Sequence, residues 1–137
     1  MIKWLEQEIA RLKTETPKKL ALNKLNKEQS SAFKAITDNE KSSFILHGAT
    51  GSGKTEVYLH CAKDVLEQNK SVLILVPEIG LTTQNIARFE ELGAPLITLH
   101  SGQTSVARAK SWQLIKQLTS ESRPIIVLGP RSAMFCP

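Results

Sequence analysis

Cysteine is scarce in this 137-residue sequence: Cys61 and Cys136 stand far apart and form no CxxC pair. That excludes a zinc framework and a disulfide scaffold, so free thiols, and no zinc, are expected. Long apolar runs are missing too. The longest, "VLILV" at 72–76, is far short of the ~20 residues that cross a bilayer. The N-terminal "MIKWLEQEIARLK" carries charge where a signal peptide needs an apolar centre. No membrane association and a cytoplasmic location are therefore expected. No block of like charge stands out; the nearest, Lys18 and Lys19, reads as solvated linker. Internal repeats and low-complexity tracts are absent.

What is present is an ordinary globular balance. Apolar residues make up 41% and charged residues 23%, enough for one domain with a real core. The net charge of +5 permits an anionic partner, nucleic acid among the candidates, without requiring one.

Periodicity divides the chain. Ile2, Leu5, Ile9 and Leu12 share one helical face, and "TETPKK" reads as the linker that follows. A helix is expected over about 27–37, opened by Asn26 with Gln29 three residues on, the pattern of a capping box. Apolar runs at 43–46, 72–76, 96–99 and 125–128 read as buried strands, with helical spacing between them. Alternation of this kind predicts an α/β fold, a mostly parallel sheet with helices on both faces. Residues 1–25 form an N-terminal helix and linker, and 26–137 the lobe proper. Trp112 is expected in the core rather than as a stacking platform.

"HGATGSGKT", residues 47–55, sits between the run at 43–46 and a helical segment. Gly48, Gly53, Lys54 and Thr55 satisfy GxxxxGK[ST] in the strand-before, helix-after context this loop needs. Glycines let backbone amides turn inward as an anion nest at a helix N-terminus. Lys54 brings a compact positive charge to the β- and γ-phosphates, and Thr55 offers a hydroxyl oxygen to Mg²⁺. A nucleoside triphosphate with Mg²⁺ is the expected ligand. Gly48, Ala49, Thr50, Gly51, Ser52, Gly53, Lys54, Thr55 and Glu56 are its expected contacts, Lys54 and Thr55 taking the chemical roles. Gln29 has two readings, a helix cap or a hydrogen-bonding partner for the edge of adenine, which would favour ATP.

Hydrolysis needs a carboxylate to hold Mg²⁺ and usually another to activate water, generally at the end of an apolar strand. Asp38 and Asp64 are the only aspartates, and neither follows such a run. Glu78 is the one carboxylate at an expected strand end, with Pro77 where a metal-binding Asp would stand. The chain stops at "MFCP", soon after its fourth apolar run, and reads as a lobe truncated before its acidic strand.

"GATGSGKTEVYL", "LVPEIGLT", "LHSG", Trp112, "GPRSAMF" and, upstream, "LNKEQSSAF" occur in this order. Together they resemble the primosomal replication-restart (PriA) helicase family of superfamily 2, over roughly 25–137. The resemblance implies the first RecA-like lobe of an ATP-driven 3′→5′ DNA helicase, a fragment unable to unwind DNA alone. It gives Gln29 the adenine-reading role and places single-stranded or forked DNA along Glu78, Gly80, Leu81, Thr82, His100, Ser101, Arg131 and Ser132. Primosome and single-strand-binding proteins are the partners it implies. Physically these are loops at the carboxyl ends of parallel strands, the usual binding edge of such a sheet. Thr82 can donate to a phosphate oxygen or cap a helix, Arg131 can meet a phosphate or a surface carboxylate, and His100 and Ser101 can form a plain turn. Pro130 stands where the family carries Thr, which removes a hydroxyl and a backbone donor. A non-catalytic nucleotide- or DNA-binding module and a small P-loop kinase are the competing readings.

Overall fold

Three of the four apolar runs become strands of one parallel sheet. The computed structural model describes residues 2–14, 22–38 and 42–137. Strands β1 (Val72–Leu75), β2 (Leu96–Thr98) and β3 (Ile126–Gly129) are arranged β1-β3-β2. Val72 and Leu96 both lie beside Ile126, so β3 is hydrogen-bonded on both sides and all four of its residues are buried. Because every pairing is parallel, the chain leaves all three strands at the same edge.

Side chains alternate across β3 and divide the core in two. Ile125 and Val127 pack with Leu114, Ile115 and Leu118 of helix α5 (Ser105–Ser120). Leu128 packs on the other face with Leu59 of α3 (Lys54–Glu67) and Phe89 of α4 (Thr83–Glu90). The sheet is thus covered on both faces, as its unbroken apolar runs require. Leu59 and Leu118 are fully buried, each side chain stabilising the fold by about 1.5–3 kcal/mol relative to exposure.

Helix α1 (Ile2–Thr14) lies against α5, adding Leu5, Ile9 and Leu12 to that half of the core. The Lys110 ammonium sits 4.8 Å from the centre of the Trp4 ring. The Arg123 guanidinium donates to the Leu12 carbonyl at 2.5 Å, satisfying an acceptor left open in the last turn of α1. The side chain of Ile2 and residues 15–19 of the expected linker lie outside the described residues, and Thr14, its first residue, ends α1. Helix α2 (Lys27–Thr37) starts at the expected capping box: Asn26 Oδ1 accepts from the Gln29 amide, and Gln29 Oε1 from the Asn26 amide.

Two expectations fail. Residues 43–46 are not a strand: neither edge of the sheet pairs with them, and Ile45 is 96% exposed. An apolar run is a strand only when a neighbour takes its amides and carbonyls, and the described residues supply none. Trp112 is not core but 38% exposed, because the buried stripe of α5 runs through Leu114, Ile115 and Leu118 instead. The outer edge of β1 is likewise unpaired among the described residues, and its Leu73 and Leu75 border an open groove of about 640 Å³ with Tyr58, Cys61 and Val65.

Candidate functional site

Glycine sets the shape of the loop that opens α3. Gly51 and Gly53 hold φ of +80° and +81°, a left-handed backbone that L side chains resist. Gly53 is the N-cap of α3 and provides no side-chain cap; the Glu56 amide donates to the Gly53 carbonyl at 3.1 Å, and the Lys54 and Thr55 amides before it are the ones placed to meet an anion. A Cβ on Gly48 would lie 2.7 Å from Ser52 Oγ, and one on Gly53 only 2.3 Å from Gln29 Nε2. The cradle stays open because these positions carry no side chain.

Lys54 is folded back over this cradle. Its ammonium donates to the carbonyls of Gly48 at 2.6 Å and Ala49 at 2.7 Å. Thr55 follows in the same turn and is exposed. Amides, one ammonium and one hydroxyl fit a triphosphate carrying Mg²⁺: Thr55 would be a single protein ligand, with phosphate oxygens and water supplying the rest. Among the described residues no group of three or more His, Cys, Asp or Glu is placed to hold a metal ion by itself.

Gln29 both caps α2 and reaches the loop, its Nε2 donating to the Gly53 carbonyl at 3.2 Å. These bonds occupy one lone pair of Oε1 and one hydrogen of Nε2. One acceptor site and one donor remain on the same amide, which is the complement of the N6–N7 edge of adenine.

Glu56, expected among the nucleotide contacts, turns toward α4. Its Oε1 accepts from the Arg88 guanidinium and from Asn23 Nδ2 at 3.1 Å. The other Arg88 amine reaches Glu91 at 2.5 Å. A carboxylate aimed into the cradle would repel the anion expected there, and this one is drawn away by a cation. Arg88 and Asn23 were not singled out by the sequence. The Arg88–Glu91 spacing marks a helical ion pair, but nothing local announces a partner 32 residues upstream.

The expected DNA-contacting residues gather along the carboxyl edge of the sheet. After β1, residues 78–80 form a 3₁₀ turn, and Asn85 Nδ2 donates to the Gly80 carbonyl at 2.8 Å. The Leu81 side chain points down among the Leu59–Phe89 core residues, so it anchors the loop. Thr82 is the N-cap of α4, its hydroxyl oxygen accepting from the Asn85 amide at 3.2 Å; the hydroxyl hydrogen can still be donated outward. Glu78 Oε1 accepts from the Ser101 amide at 3.2 Å, tying the exit of β1 to the exit of β2 across β3. Glu78 is thus a brace between loops. His100 is held by Gln103, whose Oε1 accepts from its amide at 3.3 Å, and by Arg108, which donates to its carbonyl at 3.4 Å. Arg131 and Ser132 open an exposed 3₁₀ turn after Pro130. That turn sits tightly on the sheet: a Cβ on Gly129 would be 2.8 Å from the Ala133 Cβ and 3.0 Å from the Leu99 carbonyl.

Thr55, Gly80 and Asn85 line one groove together, so the phosphate loop and the loop after β1 share an edge. Glu56 is turned to Arg88 and Asn23, and Glu78 to the Ser101 amide.

Compared with known proteins, residues 26–135 match the DEAD/DEAH box helicase family. The chain is 41% identical over 118 residues to the replication restart protein PriA of Bacillus subtilis (strain 168), covering 82% of this chain and 14% of that protein. The Treponema pallidum (strain Nichols) protein of the same name is 43% identical over 115 residues, covering 82% of this chain and 17% of its own length. The one from Synechocystis sp. (strain ATCC 27184 / PCC 6803 / Kazusa) is 47% identical over 94 residues, with 68% and 11% covered. The chain spans less than a fifth of each of these relatives.

Proposed function

The chain belongs to the DEAD/DEAH box helicase family, with homology over most of its length to the replication restart helicases; on that premise we propose that it is the ATP-binding first lobe of a 3′→5′ DNA helicase that restarts replication. Residues 26–137 form the lobe. Lys54, Thr55 and the amides of the glycine loop hold the triphosphate and its Mg²⁺, and Gln29 reads adenine. The loops carrying Thr82, His100 and Arg131 follow the backbone of single-stranded or forked DNA. Primosome and single-strand-binding proteins are the partners of the whole enzyme.

One observation carries this reading: a GxxxxGKT loop, opened by left-handed glycines, shares a groove with the loop that leaves β1 of a parallel sheet. A second reading, binding without turnover, is favoured for the chain by itself, because Glu56 is paired with Arg88 and Glu78 with Ser101. Stepping along DNA also needs a second lobe to close on the nucleotide.

Titration calorimetry with ATP and Mg²⁺, followed by a phosphate-release assay with single-stranded DNA, tests both readings. We expect ATP to bind and no DNA-stimulated release. Turnover stimulated by DNA would reject the binding-only reading for these residues. Absence of ATP binding would reject the lobe assignment itself.

A further inference from the structure

Glu56 and Arg88 join the two halves of the site. Glu56 lies two residues beyond Lys54 in the first turn of α3, about 3 Å along the axis. Arg88 lies six residues beyond Thr82 along α4, about 9 Å from the loop that α4 caps. Their side chains are 19% and 25% exposed, so the pair is largely shielded from water. Arg88 also grips Glu91, which fixes the guanidinium relative to its own helix. Asn23 holds the same carboxylate oxygen from the segment leading into α2. The other oxygen, Glu56 Oε2, is buried and has no hydrogen-bond partner among the described residues.

Such a carboxylate is sensitive to added charge. A shielded ion pair feels a neighbouring anion far more than a surface pair does. A triphosphate in the cradle would draw Lys54 off the Gly48 and Ala49 carbonyls and place negative charge one turn from Glu56. The added charge repels Glu56, and Arg88, already bonded to it, carries that force to α4 and to the Thr82 cap.

Resting on the function proposed above, we infer that the Glu56–Arg88 ion pair is a positioning link: occupancy of the phosphate loop shifts the loop after β1 through it, so that nucleotide and single-stranded DNA alter each other's affinity. Linkage makes the effect reciprocal. Glu56 and Arg88 act here through Lys54 and Thr82, and neither needs to touch a ligand.

The test is the ratio of oligothymidylate dissociation constants with and without saturating ATP and Mg²⁺, measured by fluorescence anisotropy. The unaltered chain should show a ratio at least about fivefold from unity. Glu56→Gln, Arg88→Gln and the double variant should each bring it close to one, with the double no different from the singles, as for residues acting as a unit. Reading a ratio removes any change in either affinity alone, and a melting curve for each variant verifies folding. A ratio of one in the unaltered chain, or a retained ratio in a folded Glu56→Gln variant, overturns the link. Lys54→Ala separates the two claims: ATP binding unaffected by that change sinks the nucleotide reading, whereas its loss alongside a retained Glu56→Gln ratio sinks only the link.

Discussion

The Lys54 ammonium lies 2.6 Å from the Gly48 carbonyl and so closes the loop that it is expected to open for phosphate. The ammonium is satisfied by the Gly48 and Ala49 carbonyls until an anion competes for it. Replacing Lys54 by Ala removes the charge that meets the phosphates. With charge-assisted hydrogen bonds contributing roughly 1.5–3 kcal/mol each, loss of two weakens ATP binding by about a hundredfold or more. Lys54 is partly exposed and outside the core, so the melting temperature should hardly move. Calorimetry on Lys54→Ala checks both expectations.

Gln29 offers a separable prediction because it has a structural and a recognition role on one amide. Gln29→Ala removes half of the capping box and the bond to Gly53, which should cost about 1 kcal/mol of stability. If the remaining donor and acceptor read adenine, the ATP preference over GTP should also fall toward unity. A cap alone would lower stability and leave that preference intact. Competition between ATP and GTP, measured beside a melting curve, distinguishes the two.

How far these features were legible depends on whether their cause is local. The capping box was readable because Asn26 and Gln29 are three residues apart and both partners are in the pattern. The glycine loop was readable because φ above zero at Gly51 and Gly53 leaves few alternatives to glycine. Residues 43–46 misled, since an apolar run states a wish for burial and says nothing of where the neighbouring strand comes from. The partner of Glu56 was hidden for a related reason. The position of Glu56 beside Lys54 pointed to the nucleotide, while its orientation is set by Arg88, far away in sequence. Leu59 is fully buried with Leu128 of β3, while Tyr58, Cys61 and Val65 of the same helix border the open groove.

Gly129 ends β3 where the chain turns into the loop carrying Arg131. With a Cβ there 2.8 Å from Ala133 and 3.0 Å from the Leu99 carbonyl, Gly129→Ala forces the 3₁₀ turn away from the sheet. Overpacking of this kind typically costs about 1–3 kcal/mol. Chemical denaturation should show a lowered midpoint, and DNA binding should weaken because Arg131 moves with the turn. A variant as stable as the parent would contradict the tight seating described here.

Cys61 bears on pH. Burial pushes its thiol above the ordinary value of 9.0, and the nearby Asp64 carboxylate pushes it further in the same direction. The neutral thiol is therefore the folded-state form at neutral pH, and alkylation by iodoacetamide should be slow there. A raised acidic group favours folding fully below its unfolded pKa and loses that contribution as pH rises through the folded value. Stability should thus decline at alkaline pH, and Cys61→Ser should flatten the decline. Rapid labelling of folded protein at pH 7 would show the thiol to be neither shielded nor shifted.

Salt dependence tests the proposed DNA edge. For single strands the slope of log K against log salt is about −0.7 per neutralised phosphate. Arg131 is exposed on the edge and is the one cation in the residues expected to follow the strand. Binding should therefore have a shallow slope, roughly −1 to −2 if neighbouring lysines add a contact. Arg131→Ala should remove about 0.7 of it. Glu78→Gln should act in the opposite sense. Its amide oxygen can still accept from the Ser101 amide, keeping the brace while removing a negative charge beside the strand. DNA binding should tighten several-fold at low salt, and the gain should vanish as salt screens it. Weakened binding in Glu78→Gln, or a slope indifferent to Arg131, would place the strand on some other surface of the lobe.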